Sequence, residues 1–335
     1  MNDPIVSVLI SVYHVEQYIE RCARSVFNQS YQNLEFIFVD DASDDASIDI
    51  LKRIIPDYPD RSENIQIIRH NKNKGIASAR NTAVANSHGD FVFHVDADDW
   101  VEANAIKLLV KKQQETDADI VSGEALDDNN GVKTKHLTSG WDLDKEALLS
   151  GLLTYKVSTT LWRRLIRRKL YSDNHIKANE QGSGGEDFQV LPRLVYFANK
   201  VSGIDDVIYY YNISNQQSIT NNVCMNLDSQ IQGLIAVKDI VSFFSDKEPH
   251  LRDIVAGMDV RNIHFRMMYN VNNGNKKGYD LFLKHMKESN PKYWKQVSWD
   301  SFWVKSFESN YYTFIIFRKF KGFYYRIKKL LKRFL

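Results

Sequence analysis

The sequence has few cysteines and few prolines, and both scarcities exclude a class of protein. Its 335 residues hold two cysteines, Cys22 and Cys224, which lie far apart and match no zinc-binding spacing. We therefore expect two free thiols in a reducing compartment and no disulfide framework. Six prolines, together with 43% hydrophobic residues, are typical of a folded α/β protein and argue against a disordered chain.

Long apolar runs are missing as well. No stretch reaches the roughly 18 apolar residues that a helix needs to cross a bilayer. The N-terminal segment MNDPIVSVLISVY is apolar only briefly and has neither a basic segment nor a cleavage site, so it predicts a first strand and not a signal peptide. The expected location is the cytoplasm, in solution or peripherally on the inner face of the cell membrane.

A large excess of one charge is also absent, because 44 lysines and arginines face 42 acids and the net charge is +2. This near balance gives no reason to expect a nucleic acid as a partner. The distribution is uneven, however: acids gather in the first half and bases in the segment from Arg318 to the end.

Short apolar runs alternate with helical patterns over residues 1–125. The predicted strands are 6–12, 34–39, 65–68, 91–95 and 120–122. The predicted helices between and after them are 16–28, 47–55, 77–85 and 101–115. Alternating strands and helices form right-handed βαβ units, which predicts an α/β fold with a mostly parallel central sheet flanked by helices. Ligands of such sheets bind beyond the carboxyl ends of the strands.

The rest of the chain is less regular. It is predicted to contain a polar loop at 127–140, helices at 143–153, 160–169 and 186–197, and a strand at 207–212. After residue 221 the pattern is helical with irregular links, and no catalytic spacing is recognisable there.

The strongest chemical signal is the segment Asp96-Ala97-Asp98-Asp99, directly after the fourth strand. Three carboxylates within four residues repel one another and are costly to hold together without a cation. A hard divalent ion, Mg²⁺ or Mn²⁺, removes that cost and can bridge the phosphates of a nucleotide. The alternative is that Asp99 caps the helix predicted from Val101, which leaves the other two aspartates without a role.

A second acidic segment, DDASDD, follows the second strand at residues 40–45. Asp41 at this edge of the sheet can accept a hydrogen bond from a nucleobase N–H or a ribose hydroxyl. Ser43 or Asp44 can equally cap the next helix. The two roles are compatible, and we predict that Asp41 recognises the base.

Four segments together resemble the inverting family 2 glycosyltransferases with the GT-A fold that build bacterial surface polysaccharides. They read VSVLISVYHVEQYIERCARSVFNQSYQNLEFIFVDDASDD, NKGIASARNTAVANSHGDFVFHVDADD, GEDFQVLPRLV and YYYNISNQQSIT. The resemblance is closest over residues 5–125 and thins to scattered motifs up to about 220. It implies a GT-A catalytic domain at 1–220, followed by a mainly helical region at 221–335 that ends in a basic tail.

The resemblance also implies roles for single residues. The expected nucleotide-binding residues are Ser11, Tyr13, Asp41, Arg80 and Asp96. Among them, Asp41 is expected at the base, Asp96 near the ribose, and Arg80 at the ribose or a phosphate. Asp98 is the expected ligand of Mn²⁺ or Mg²⁺. Family members usually carry Tyr-Asn where this chain has Tyr13-His14, so no role for position 14 follows.

Glu186-Asp187 resembles the Glu-Asp pair of the family, in which the aspartate acts as general base. The chemistry needs such a group, because an acceptor hydroxyl is a poor nucleophile until a carboxylate takes its proton. The alternative is an acidic first turn of the helix at 186–197. The preceding glycine-rich EQGSGG predicts a loop that closes over the donor.

Several other residues have two readings each. Arg80 could be a surface arginine that bonds the acidic loops, and Arg164 could lie near phosphate or on a plain arginine-rich helix face. His94, inside an apolar strand, is expected to be a hydrogen-bonded core residue. His175 and His264 are candidates for an additional metal ligand.

The tail YYTFIIFRKFKGFYYRIKKLLKRFL at 311–335 interleaves apolar residues with bases and contains no acid. On a helix from Phe323 on, the apolar side chains gather on one side, which is the pattern of an interfacial helix on an anionic membrane. Such attachment would bring the protein to a lipid-linked acceptor. The alternative is a helix that docks on the catalytic domain with its bases solvated.

The predicted function is therefore the transfer of a sugar from a nucleoside-diphosphate sugar, with UDP the frequent nucleotide of the family, to a saccharide or lipid-linked saccharide acceptor. A metal-dependent nucleotidyltransferase is disfavoured because no glycine- and lysine-rich phosphate loop follows the first strand. A non-catalytic nucleotide-sugar-binding module would bind without turnover, and the presence of Asp98 and Asp187 argues against it. The early acidic pair Asp40-Asp41 would suit a phosphate-receiver domain, but such a domain has no use for the further acids at 96–99.

Overall fold

The computed structural model describes residues 3–140, 142–181, 185–215, 218, 226–296 and 311–312. The chain divides into two compact units, Met1–Ala236 and Val237–Leu335. The domain boundary that the sequence suggests, at 220, remains a proposal.

The strands of the first unit form one sheet. In the described residues they are β1 (Val6–Val12), β2 (Leu34–Asp40), β3 (Ile65–Arg69), β4 (Phe91–Asp96), β5 (Trp100–Val101), β6 (Ile120–Asn129), β7 (Val132–Lys135), β8 (Arg164–Arg167) and β9 (Val201–Asn212). Their order is β3-β2-β1-β4-β8-β6-β9-β5, with β7 paired to β6. Parallel ladders account for most of the paired residues, so the prediction of an α/β fold with a mostly parallel sheet is confirmed.

Helices of the first unit connect and follow these strands. They are α1 (Ile19–Phe27), α2 (Ser47–Ile54), α3 (Pro59–Ser62), α4 (Ile76–Ala85), α5 (Ala105–Thr116), α6 (Lys145–Leu153), α7 (Lys169–Asp173) and α8 (Glu186–Phe197), with a 3₁₀ turn at Ile55–Asp57. The apolar strand β1 is buried along nearly its whole length. On α1, apolar residues at helical spacing are buried, among them Cys22 and Val26, while its polar face remains outside.

The parallel half of the sheet was predictable because the apolar runs of β1, β2 and β4 are largely buried, although the edge strand β3 is partly exposed. The other half is mixed, and the helix predicted at 160–169 is wrong. Residues Arg164–Arg167 form β8, which pairs antiparallel with both β4 and β6. Tertiary pairing overrides the local pattern here, because Arg164 is fully buried and its guanidinium donates to the backbone carbonyl oxygen of Ser158 at 2.7 Å.

The polar loop predicted at 127–140 is also partly wrong. Strand β6 continues to Asn129, turns through Asn130 and Gly131, and returns as β7. Both turn residues have positive φ, 51° and 92°, as a two-residue hairpin turn requires. The Asn-Gly pair is the sequence signal for this hairpin.

Beyond residue 226 the described chain is helical, as predicted. The helices are α9 (Leu227–Phe244), α10 (Pro249–Asn272) and α11 (Lys276–Glu288), followed by a 3₁₀ helix at Pro291–Gln296. In the second unit α10 packs against α11, and Asn275 caps α11 by accepting a hydrogen bond from the Gly278 N–H at 3.0 Å. None of the helices described here is both long and apolar enough to cross a membrane.

Candidate active site

The carboxyl ends of β1, β2 and β4 lie side by side. Ser11 on β1 is in register with Val39 on β2 and with Asp96 on β4. Two predicted nucleotide-binding residues, Ser11 and Asp96, are therefore neighbours across one ladder. The third, Asp41, follows directly after β2, and its N–H donates to the Val12 carbonyl oxygen at 2.9 Å.

Asp41 is buried and organises the loop that leads into α4. Its Oδ1 accepts from the Lys74 N–H at 2.9 Å and contacts His70 Nδ1 at 2.6 Å, and its Oδ2 accepts from the Gly75 N–H at 2.7 Å. A carboxylate has about four lone-pair sites, so one further acceptor position remains for a ligand. The sequence reasoning missed His70, which belongs to no motif and is brought to Asp41 only by the register of β2 and β3.

Tyr13 and His14 form an aromatic pair at the end of β1. The Tyr13 side chain is 44% exposed and stacks on His14 with ring centroids 4.0 Å apart. His14 has a positive φ of 51°, and its Nε2 lies 2.5 Å from Asp44 Oδ1. An exposed aromatic ring beside the buried Asp41 is suited to stack on a planar base.

The three carboxylates after β4 diverge instead of converging on one point. Asp99 is fully buried; its Oδ1 accepts from the Asn212 N–H at 2.7 Å and its Oδ2 from the Tyr209 hydroxyl at 2.8 Å. The same hydroxyl accepts from the Asp96 N–H at 3.0 Å, so β9 fixes this segment. Asp99 does not cap a helix, because residues 100–101 form β5 and α5 begins at Ala105.

Burial raises the pKa of Asp99 well above its ordinary value, and the carboxylates of Asp98 and Asp96 raise it further. Burial also raises the pKa of Asp98, again with a contribution from Asp96. Burial is the larger cause of both shifts, and the neighbouring carboxylates add a negative potential at the end of β4. Such a potential favours a bound cation.

Asp98 is the carboxylate of this segment that the sequence predicts as a metal ligand. It is partly exposed, and its Oδ2 accepts a hydrogen bond from Asn215 Nδ2 at 2.8 Å. Within the described ranges, no group of three His, Cys, Asp or Glu side chains is arranged to hold a metal. Mg²⁺ can also be held by one or two carboxylates together with substrate phosphates, and Asp98 offers one such carboxylate.

Arg80 on α4 lies among three carboxylates. Its Nη2 is 2.8 Å from Asp96 Oδ1, and its Nη1 is 2.9 Å from Glu186 Oε1 and also contacts Asp187 Oδ1. The Arg80 side chain is buried, so the reading as a surface arginine is wrong. Burial alone lowers the pKa of Arg80, but the carboxylates of Asp187, Asp96 and Glu186 together raise it well above its usual value.

Asp187 occupies the first turn of α8, whose bounds are those predicted from the sequence. Burial raises the pKa of its carboxyl group to about 7, although the Arg80 guanidinium and the backbone N–H of Leu161 act to lower it. A carboxylate that titrates near neutral pH is suited to general base catalysis. Gly185, with a φ of 83°, directly precedes the helix. The sequence predicts that the glycine-rich loop before it closes over the donor, and residues 182–184 of that loop lie outside the described residues.

The remaining candidates are less informative. His94 is a buried core histidine whose Nε2 lies 3.1 Å from the Tyr171 hydroxyl, and burial lowers its pKa to about 3. His175 is exposed in the turn after α7, and burial lowers the pKa of His264 on α10 to about 4. Cys22 is a buried free thiol, while Cys224 lies outside the described residues.

Comparison with known proteins gives this geometry a context. The family model described as glycosyl transferase family 2 matches residues 7–177. EpsH, a putative glycosyltransferase of Bacillus subtilis (strain 168), is 30% identical over 218 residues, which are 64% of this chain and 62% of EpsH. The chain thus spans less than two thirds of the length of that relative.

Solved structures share the fold at low sequence identity. TarS 1–349 of S. aureus, in complex with UDP-GlcNAc, has a TM-score of 0.66 at 17% identity and covers 86% of this chain and 82% of its own. The mannosyltransferase PcManGT of Pyrobaculum calidifontis, in complex with GDP-Man and Mn²⁺, has a TM-score of 0.57 at 16% identity. The match covers 87% of this chain and 77% of the PcManGT chain. The GT-A fold expected from the sequence is thereby confirmed.

Proposed function

This chain belongs to glycosyl transferase family 2, and from that premise we propose that it is an inverting glycosyltransferase. It moves a sugar from a nucleoside-diphosphate sugar to the hydroxyl of a saccharide or lipid-linked saccharide acceptor. The observation that carries the proposal is Asp187: a largely buried carboxylate with a pKa near 7, linked by Arg80 to the strand end where Asp96 and Ser11 meet.

In the proposed reaction, Asp187 takes the proton of the acceptor hydroxyl while that oxygen attacks the anomeric carbon. A bond forms from the acceptor oxygen to the anomeric carbon, and the bond from that carbon to the diphosphate oxygen breaks. The electron pair leaves with the nucleoside diphosphate. Because attack comes from the face opposite the leaving group, the anomeric configuration inverts.

We assign the donor to the carboxyl ends of β1, β2 and β4. Asp41 offers its remaining acceptor position to the base, and Tyr13 offers its exposed ring for stacking. Ser11 and Asp96 lie at the ribose. UDP is the proposed nucleotide, in line with the resemblance and with the UDP-GlcNAc complex of TarS.

We assign Mn²⁺ or Mg²⁺ to Asp98, with the donor diphosphate supplying further ligands. When bound, the ion stabilises the negative charge on the departing nucleoside diphosphate. Support comes from the neighbouring Asp96 carboxylate, whose negative charge adds to burial in raising the pKa of Asp98, and from the Mn²⁺ in the PcManGT complex.

We place the reaction in the assembly of a bacterial capsule, O-antigen or exopolysaccharide, because the sequence resembles enzymes of that kind. The basic tail at 311–335 is proposed to hold the protein on the anionic inner face of the membrane, near a lipid-linked acceptor. Apart from residues 311–312, the tail lies outside the described residues.

The test is a screen of nucleotide-sugars with Mn²⁺ or Mg²⁺ that records thermal stabilisation, donor hydrolysis and transfer. The wild type should bind and turn over at least one donor. Asp187→Asn should bind that donor with unchanged affinity while transfer falls by about 10²–10⁴-fold. The matched control is Asp173→Asn, in the last turn of α7, which should transfer at the wild-type rate.

Two outcomes contradict the proposal. Donor binding by the wild type without any turnover points to a non-catalytic nucleotide-sugar-binding module. Undiminished transfer by Asp187→Asn removes Asp187 from the mechanism.

A further inference from the structure

The guanidinium of Arg80 joins two parts of the site that are distant in sequence. Its Nη2 faces Asp96 at the end of β4, 16 residues away, and its Nη1 faces Asp187 on α8, 107 residues away. A guanidinium is planar and rigid, so the two nitrogens set the distance between the carboxylates that they bind. Arg80 therefore fixes the position of α8 against the donor end of the sheet.

The position of Arg80 is itself determined by the donor loop. Asp41 holds the N–H groups of Lys74 and Gly75, and Gly75 is the residue that opens α4. Arg80 lies little more than one turn further along that helix. A continuous set of contacts thus runs from the predicted base-binding Asp41, through α4 and Arg80, to Asp187.

We propose that Arg80 is a positioning residue that holds Asp187 in place and in its ionised form, acting through the ion pair and not through contact with the reacting atoms. The inference rests on the proposed function, in which Asp187 is the general base. A direct contact between Arg80 and the donor is a separate prediction from the sequence, and the two are distinguishable.

The charges around Asp187 show what Arg80 contributes. Two acids face it, Asp96 from β4 and Glu186 from its own helix, and both act to raise its pKa. Arg80 from α4 is the cation that forms an ion pair with it.

Two further groups interact with Asp187 electrostatically. Arg164, on β8, is held among backbone carbonyl oxygens, and burial lowers its own pKa far below the usual value. Tyr171, on α7, is buried, and burial raises its pKa. Neither of them forms an ion pair with Asp187 in the described part of the chain.

Without Arg80, Asp187 would sit beside Glu186 and Asp96 without the cation that pairs with it among the described residues, and its proton would bind more tightly. An arginine next to an aspartate lowers the carboxyl pKa by roughly 1–3 units. Arg80→Gln should therefore move the titration of Asp187 upward by about that amount, and the acidic limb of the kcat–pH profile should move with it. Glu186→Gln removes a like charge and should move both in the opposite direction.

The experiment uses the full chain with ¹³C-labelled aspartate carboxyl groups, and Asp187→Asn assigns the resonance. The carboxyl titration is followed by NMR in the wild type, Arg80→Gln, Arg80→Lys and Glu186→Gln. The expected result is an upward shift in Arg80→Gln, a smaller shift in Arg80→Lys, and a downward shift in Glu186→Gln. If Arg80→Gln fails to fold, the titrations of Arg80→Lys and Glu186→Gln still show whether Arg80 controls the pKa of Asp187.

Arg61→Gln is the matched control, because Arg61 is equally buried but donates to the backbone carbonyl oxygens of Gln29 and Gln32 elsewhere in the unit. It should lower stability without moving the Asp187 titration. An unchanged titration in Arg80→Gln overturns the inference. Weakened donor affinity with an unchanged titration assigns Arg80 to the donor, and also overturns it.

The NMR result is independent of turnover. If the wild type turns over no donor, the proposed function fails, while the shifts still report whether Arg80 controls the ionisation of Asp187. If turnover is present but the shifts are absent, the proposed function stands and the inference about Arg80 fails.

Discussion

At the scale of the residue, identical side chains acquire different roles from their surroundings. Asp96, Asp98 and Asp99 are nearly contiguous, yet the first pairs with Arg80, the second lies partly exposed beside Asn215, and the third is buried under Tyr209. The difference follows from the turn after β4, which directs successive side chains to different neighbours. Asp96 and Asp98 both stay partly exposed, but Asp96 is already paired with Arg80, and Asp98 is therefore the proposed metal ligand.

The role of Asp98 can be tested by ligand-induced stabilisation. A donor at about 100 times its Kd stabilises the folded state by about 2.7 kcal/mol. In the wild type we expect Mn²⁺ to increase that stabilisation, because the ion links Asp98 to the diphosphate. In Asp98→Ala the donor should stabilise the protein to the same extent with and without Mn²⁺.

Thermal unfolding with a graded donor concentration provides the measurement for Asp98→Ala. Asp60→Ala, which removes an exposed carboxylate on α3, is the control and should keep the wild-type response to Mn²⁺. A metal response that survives in Asp98→Ala would place the ion elsewhere.

The hydroxyl group of Tyr209 stabilises the acidic segment after β4, because it bonds both Asp99 and the Asp96 N–H. In Tyr209→Phe, the buried Asp99 Oδ2 loses its donor and the partly buried Asp96 N–H loses its acceptor. An unsatisfied buried group costs about 1–3 kcal/mol. We expect a loss of that size or more in the free energy of unfolding, and a lower rate of transfer because the segment that carries Asp98 is loosened.

Urea denaturation measures the effect of Tyr209→Phe, with the midpoint expected to fall and the slope to stay constant. Tyr210→Phe is the matched control, since its hydroxyl donates to the more exposed Glu102. Tyr210→Phe should lower the free energy of unfolding clearly less than Tyr209→Phe does. An equal loss of unfolding free energy in the two variants would show that the buried hydrogen bonds around Asp99 stabilise the fold no more than an exposed one does.

At the scale of the element, the site depends on how β1, β2 and β4 are held at their opposite, amino ends. Gly89, just before β4, donates its N–H to Glu35 Oε1 on β2 at 2.9 Å and to Ser7 Oγ on β1 at 3.0 Å. This junction sets the register of the three strands. Their carboxyl ends, with Ser11 and Asp96 as neighbours, are aligned as a consequence.

Gly89→Ala tests this junction. An added Cβ would lie 2.6 Å from Ser7 Oγ, 2.8 Å from the Ile5 carbonyl oxygen and 2.9 Å from the Ser7 backbone nitrogen. Because two of these atoms belong to the backbone of the sheet, the strain cannot be relieved by a side-chain rotation. We expect a destabilisation of about 1–3 kcal/mol, as for other overpacked sites.

The same denaturation experiment serves for Gly89→Ala. Gly131→Asn, at the tip of the β6–β7 hairpin, is the control for steric clash, because no atom lies within 4 Å of the position that a Cβ would take. Any loss of stability in this variant reports the strain of a side chain at a φ of 92° and not a clash. An alanine at position 89 that leaves stability unchanged would mean that β1 and β4 can separate without cost.

At the scale of the whole molecule, the catalytic proposal concerns the first compact unit, while the predicted membrane attachment concerns the C-terminal tail. The eight bases of the tail from position 318 on are not offset by any acid. If the tail binds as predicted, each base near an anionic surface would contribute about 1 kcal/mol to binding, and the apolar residues between the bases would add burial in the interface.

Deletion of residues 318–335 should therefore release the protein from vesicles that contain anionic lipid, while donor hydrolysis in solution is retained. Co-sedimentation with phosphatidylserine vesicles measures the first effect. Zwitterionic vesicles serve as the control surface, and they should bind the full chain weakly. Vesicle binding that persists after the deletion would contradict the role of the tail.

Local hydrophobic periodicity by itself determined the βαβ half of the fold and the bounds of α8, because burial of β1 or of one face of α1 depends on spacing alone. The same periodicity located the strand ends, and it thereby showed that acids follow β2 and β4. Only the tertiary structure decided that Arg164–Arg167 is a strand, that Asp96, Asp98 and Asp99 point to different partners, and that Arg80 meets Asp187. These outcomes depend on which distant segments pair, and the register between segments that are 107 residues apart is set by packing of the whole unit. Periodicity carries no information about it.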